Sequence, residues 1–153
     1  MKAHRATLAA LGTAEPRAAY RAKARGRAAS RPSGPLVDLD ARTVPFAAVP
    51  ALAERIGVTA EDLLAVVGIP ARTAARRKAA RFLRPDEADR VLRVARIVEE
   101  SVRVFGGYPK AAAWLRARHP LLSGEAPFAL LGSDAGAKAV SDELIRIDHG
   151  DFA

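Results

Sequence analysis

Between Pro85 and Phe105 the chain spells one uninterrupted amphipathic helix, and a rod of that length decides what the rest of a small protein can do. Asp86, Glu87 and Asp89 crowd the end where the helix dipole favours negative charge, and Gly106-Gly107 closes the other end. Val91, Val94, Ala95, Val98, Val102 and Phe105 recur in steps of three and four, so they fall on one stripe. A second stripe of Leu92, Ile97 and Val104 is partly apolar. This pattern predicts a helix buried in its own domain on one side and placed to meet a second subunit on the other.

The remainder after Pro45 is also helical in pattern, with no alternating β-branched or aromatic run, so the fold class is all-α. Helices are expected over 50–56 and 61–67, parted by Gly57-Val58-Thr59 with Thr59 as N-cap. A third should begin with Pro70 as its first residue, where the missing N–H costs nothing. Past the rod come a helix over 108–116, a turn at Pro120, a short helix over 128–131 and a last helix capped by Ser133. Ala137, Val140, Leu144 and Ile147 share a face of that last helix, and Gly150 stands where a C-terminal glycine belongs.

A chain of 153 residues with half its side chains apolar and none of them cysteine builds one modest core without disulfides or thiolate metal sites. No apolar run reaches the roughly 18 residues of a membrane span, so no membrane association is expected and cytoplasm is the default compartment. The net charge of +8 is unevenly placed: residues 1–35 hold eight basic side chains against Glu15 alone, leaving the remainder at +1. Ser30-Arg31-Pro32-Ser33-Gly34-Pro35 reads as a linker. The organisation is therefore a basic tail at 1–35, a region at 36–84, and the rod with the C-terminal part at 85–153. The tail reads as a solvated extension, with a DNA-contacting arm or a transit peptide as lesser readings.

Residues 59–79 fit a helix-turn-helix, with Gly68 in the tight turn and Leu64 and Ala74 pinched between the two helices. The second helix should expose Arg72, Thr73, Arg76, Arg77 and Lys78, with Arg81 and Arg84 following and no acid before Asp86. Arginine grips guanine or phosphate and threonine can meet phosphate or a thymine methyl, so operator DNA is the expected partner of Arg72, Thr73, Arg76, Arg77, Lys78 and Arg81.

Nothing in the sequence supports catalysis, a metal or a cofactor. His4, His119 and His149 share no ligand spacing. Ser133 lacks the preceding strand and histidine of a nucleophile turn and reads as an N-cap. Gly106-Gly107 is not a phosphate loop, and the pairs Asp86/Glu87 and Glu99/Glu100 diverge around a helix. Trp114 and Phe128 fill a core poor in aromatics. At the end of the chain, Ile145 lies off the buried stripe and Phe152 extends past the last helix.

These residues resemble the Xre/MbcA/ParS antitoxins of RES-domain toxin systems over about positions 46–151. One block is Gly68-Ile69-Pro70-Ala71-Arg72-Thr73-Ala74-Ala75-Arg76-Arg77 with Leu83 and Asp86-Glu87. The other comprises Ala113-Trp114-Leu115, Pro120, Leu122, Gly124, Pro127, Leu130-Leu131, Gly136, Val140, Leu144, Ile147 and Gly150, with Ser133 standing where threonine is commoner.

The resemblance implies an Xre-like helix-turn-helix, a long helix and a small helical toxin-binding domain. It implies a non-enzymatic antitoxin that binds a RES toxin consuming NAD and represses its own operon. The toxin-facing residues would be Ile145, Arg146, Asp148, His149, Gly150, Asp151 and Phe152, entering or covering the toxin's active-site entrance. A homodimer is expected, because helix-turn-helix proteins read two half-sites about 34 Å apart. The alternatives are a free-standing transcription regulator whose C-terminal part only dimerises, and an antitoxin whose helix-turn-helix serves packing alone.

Overall fold

The computed structural model describes Asp40 and residues 42–150, which lie in one compact unit. The basic tail and Asp151 and Phe152 lie outside the described residues. Among the described residues seven α-helices follow in order: α1 (Ala48–Ile56), α2 (Ala60–Val66), α3 (Ala71–Ala80), α4 (Pro85–Phe105), α5 (Tyr108–Arg116), α6 (Pro127–Leu130) and α7 (Asp134–Asp148), with a 3₁₀ turn at Pro120–Leu122. No strand forms among the described residues. An isolated antiparallel bridge joins Pro45 to Phe82, flanked by hydrogen bonds from Phe46 N to the Arg81 carbonyl and from Leu83 N to the Val44 carbonyl.

The breakers act where local chemistry says they should. Thr59 and Asp62 form a reciprocal capping box at α2, Thr59 Oγ1 accepting from Asp62 N at 3.0 Å while Thr59 N donates to Asp62 Oδ2 at 3.2 Å. Gly106 ends α4 in the left-handed region at φ +76°. The expected helix limits shift by a residue or two. Pro70 is the N-cap of α3 rather than its first residue: its backbone is extended at ψ 149°, and its carbonyl accepts from Ala74 N at 2.9 Å.

α4 is the spine, about 31 Å long at 1.5 Å per residue. α7 packs along it in the same direction, since Arg93 pairs with Asp134 at 2.7 Å near one end and Arg103 with Asp148 at 2.8 Å near the other. Between them Ser141 Oγ donates to Glu100 at 3.0 Å. One expectation fails here. Leu92 and Ile97 of the second stripe are buried in the chain's own core, because neighbouring elements wrap α4 on both apolar sides. That stripe is not left open for a second subunit.

The helix-turn-helix and the C-terminal part share this core. Arg55 Nη1 and the Tyr108 hydroxyl both reach Glu99 Oε1, at 3.1 and 2.7 Å, joining α1, α4 and α5. Burial, then the hydrogen bond to Glu99, raises the Tyr108 pKa. Gly132 lets the segment before α7 come against the end of α2, where a Cβ would stand 2.5 Å from the Val66 carbonyl oxygen. At Gly136 a Cβ would run into the Leu130 carbonyl, so only glycine permits α7 to sit this close to α6.

Trp114 and Phe128 take the filling roles expected of them. Phe128 is buried, and Trp114 packs against the core with its ring 5.4 Å from Phe105 and 5.0 Å from His119. His119 Nε2 lies 3.0 Å from the Trp114 carbonyl oxygen, which gives that imidazole a local structural partner.

Candidate DNA-reading and toxin-binding surfaces

The α2 to α3 turn is built as the spacing predicts. Gly68 takes φ +67°, Ile69 N donates back to the Leu64 carbonyl at 2.8 Å, and Leu64 and Ala74 are both buried between the helices. Ala74 is the buried residue of α3. Arg72 and Arg76 are exposed and make no ion pair among the described residues, while Thr73 is half-buried beside them.

The other cations part company with these two. Arg77 turns inward, its side chain only 12% exposed, and its Nε donates to Glu87 Oε2 at 2.7 Å. This corrects the expectation that Arg77 is displayed with its neighbours: the carboxylate is near enough to hold it. Glu87 is itself buried in the first turn of α4 and also accepts from Arg84 N at 2.9 Å. Burial pushes the Glu87 carboxyl upward, but the Arg77 and Arg84 hydrogen bonds and the adjacent positive charges more than offset it and leave its pKa below the ordinary value.

Lys78 and Arg81 flank an open groove of about 600 Å³ lined by Pro45, Phe46, Pro50 and Phe82, so they stand apart from Arg72 and Arg76. Arg81 ends α3 at φ +68°, a left-handed position more often given to glycine, and Phe82 beside it is 52% exposed. Glu87 is the residue that sequence reasoning missed. Its place three residues after the N-cap of α4 is the usual one for a carboxylate reaching back to the cap N–H.

At the other end, Ser133 Oγ accepts from Gly136 N at 3.0 Å and opens α7, which buries Ala137, Val140 and Leu144. Ile145 is 45% exposed, as its place off the stripe requires. Arg146 and Asp148 are not free groups. Arg146 pairs with Glu143 at 2.7 Å, and Asp148 accepts from Arg103, a hydrogen bond that holds its carboxyl below the usual range. His149 is the C-cap of α7, and Gly150 follows at φ +72°. Among the described residues no cluster of His, Asp and Glu is arranged to hold a metal ion, and no helix is long and apolar enough to cross a membrane.

Comparison with known proteins fits this division of the molecule. Residues 35–96 match the Antitoxin Xre-like helix-turn-helix domain, and residues 102–150 match the Antitoxin Xre/MbcA/ParS C-terminal toxin-binding domain. The chain is similar to a protein named Antitoxin Xre from Yersinia enterocolitica, 35% identical over 95 residues that make up 60% of this chain and 64% of the relative. It is also similar to an Antitoxin Xre from Photorhabdus laumondii, 32% identical over 91 residues, 58% of this chain and 62% of the relative. The chain thus spans slightly less than two thirds of the curated relatives it matches. With the helix-turn-helix, the long helix and the toxin-binding domain joined in order on one core, it belongs to the Xre/MbcA/ParS antitoxin family.

Proposed function

We propose that this chain is a type II antitoxin that neutralises a RES-domain, NAD-consuming toxin by occluding its active site, and that represses its own operon by binding operator DNA as a homodimer in the cytoplasm. It supplies recognition rather than catalysis. The observation that carries the reading is that one body presents two unlike surfaces: Arg72 and Arg76 on α3, exposed and without an ionic partner among the described residues, and the exposed Ile145 on α7 inside the region that matches the toxin-binding domain.

The two surfaces suit different partners. Bare guanidinium groups on a recognition helix are suited to phosphate and guanine, and their binding should be strongly salt-dependent. On α7 the charged side chains of Asp134, Lys138, Glu143, Arg146 and Asp148 all have ionic partners within the chain, so its tip offers apolar Ile145 among neutralised charges. Such a surface suits an apolar-lined cleft, where a desolvated anchor contributes most. Asp151 and Phe152 extend the same tip in sequence.

The test is co-expression with the RES-like protein of an adjacent reading frame. Wild type should copurify with the toxin and protect the cell. Chains ending before Asp148, or carrying Ile145→Asp, should lose protection while still shifting operator DNA. Full neutralisation by both altered chains would reject the reading.

A further inference from the structure

α3 is the helix that would read DNA, yet the core grips it weakly. Over ten residues it buries only Ala74, whose methyl group contributes little area and resists no roll about the helix axis. The turn at Gly68 fixes one end of α3. Its other end is tied through the backbone by the bond from Phe46 N to the Arg81 carbonyl, and the polar side-chain restraint on its last turns is the Arg77 to Glu87 ion pair, with Glu87 anchored to α4 by its own bond from Arg84 N.

We propose that Glu87 is a positioning residue for DNA reading, acting through Arg77 to set the roll of α3 and hence the aim of Arg72 and Arg76. The inference rests on the DNA-binding reading above and deepens it. Arg77 stands about 100° around the helix from Arg76 and about 140° from Arg72, so any roll that breaks its bond to Glu87 swings both exposed arginines with it. A roll of about 20° moves groups at a side-chain radius of 5–6 Å by about 2 Å, well beyond the roughly 0.5 Å within which a binding geometry holds.

An ion pair this largely withdrawn from solvent is a poor choice for stability alone, because apolar partners of similar volume often serve a fold equally well. What it adds is direction. The charge of Arg77 is consumed inside the chain, so it releases no counterion from DNA.

The experiment measures binding of the full chain to duplex DNA from upstream of its own coding sequence, across a salt series. Arg76→Ala should weaken binding and flatten the slope of log affinity against log salt by about 0.9 for each protomer bound. Arg77→Ala should weaken binding about tenfold, as for the loss of one well-aimed base contact, and leave the slope unchanged. The paired change Arg77→Met with Glu87→Leu should melt no more than about 5 °C below the wild type, the cost of the lost cap bond to Arg84 N, yet bind as weakly as Arg77→Ala.

A slope flattened by Arg77→Ala as much as by Arg76→Ala would make Arg77 a phosphate contact and overturn the proposal. Wild-type affinity in the Met/Leu pair would overturn it too, by showing that the ion pair only stabilises. Failure of the wild-type chain to shift this DNA at low salt would bring down the DNA reading itself, and the positioning role with it.

Discussion

α3 and α7, the two helices proposed to meet partners, are built in opposite ways. α3 is lightly held, burying one alanine, and leaves Arg72 and Arg76 without a counter-charge among the described residues. α7 is held along its whole length by Ala137, Val140 and Leu144 and by polar clasps to Arg93, Glu100 and Arg103. A helix that meets a polyanion keeps its charges bare, whereas one that meets a protein cleft can settle its charges at home and present apolar surface. The two helices therefore should fail differently when altered.

The largest effect should come from the well-held helix. Leu144→Ala, at a fully buried site, should cost about 3 kcal/mol in denaturant unfolding. It should weaken both functions together, because α7 and the helix-turn-helix share one core. Gly136→Ala should cost about 2 kcal/mol through overpacking against Leu130, and its loss of toxin binding should exceed its loss of DNA binding. Equal losses would show that α7 is no more separable from α3 than Leu144 is.

On the lightly held helix the pattern inverts. Arg72→Ala should change unfolding by less than about 0.5 kcal/mol while weakening DNA binding about tenfold. Ser133→Ala should cost about 1 kcal/mol, seen in thermal melts, with DNA affinity unchanged.

The smallest effect is an acid one. The Glu87 pKa is lowered on folding, so its contribution is fully present above the ordinary carboxylate range and is lost as pH falls through the lowered value. Glu87→Gln should flatten the fall in stability below about pH 4. An unchanged acid profile would show that the carboxylate charge contributes nothing to holding α3.

What the sequence made legible was local. Ser133, Thr59, Gly68, Pro85 and Gly106 act within a few residues of themselves, so the helices, their order and the pinch of Leu64 on Ala74 follow from spacing. What stayed hidden was the pairing across breaks in the chain. Arg77 reads as one more cation in a basic run, because its partner Glu87 lies beyond the end of α3 and beyond Leu83-Arg84. Asp148 reads as a free carboxylate because Arg103 is 45 residues away. The second stripe of α4 reads as an interface because periodicity shows that Leu92 and Ile97 want burial without showing who buries them.

The unbroken run of α4 has a mechanical consequence. Glu87 sits in its first turn and Arg103 in its last, so a single helix carries both the partner of Arg77 on α3 and the partner of Asp148 on α7. A partner bound on α7, as proposed, would thereby be kept at a set bearing and reach from α3. Inserting or deleting residues in the middle of α4 would turn one end relative to the other by about 100° per residue and so break the core that both ends share at Val94 and Val98.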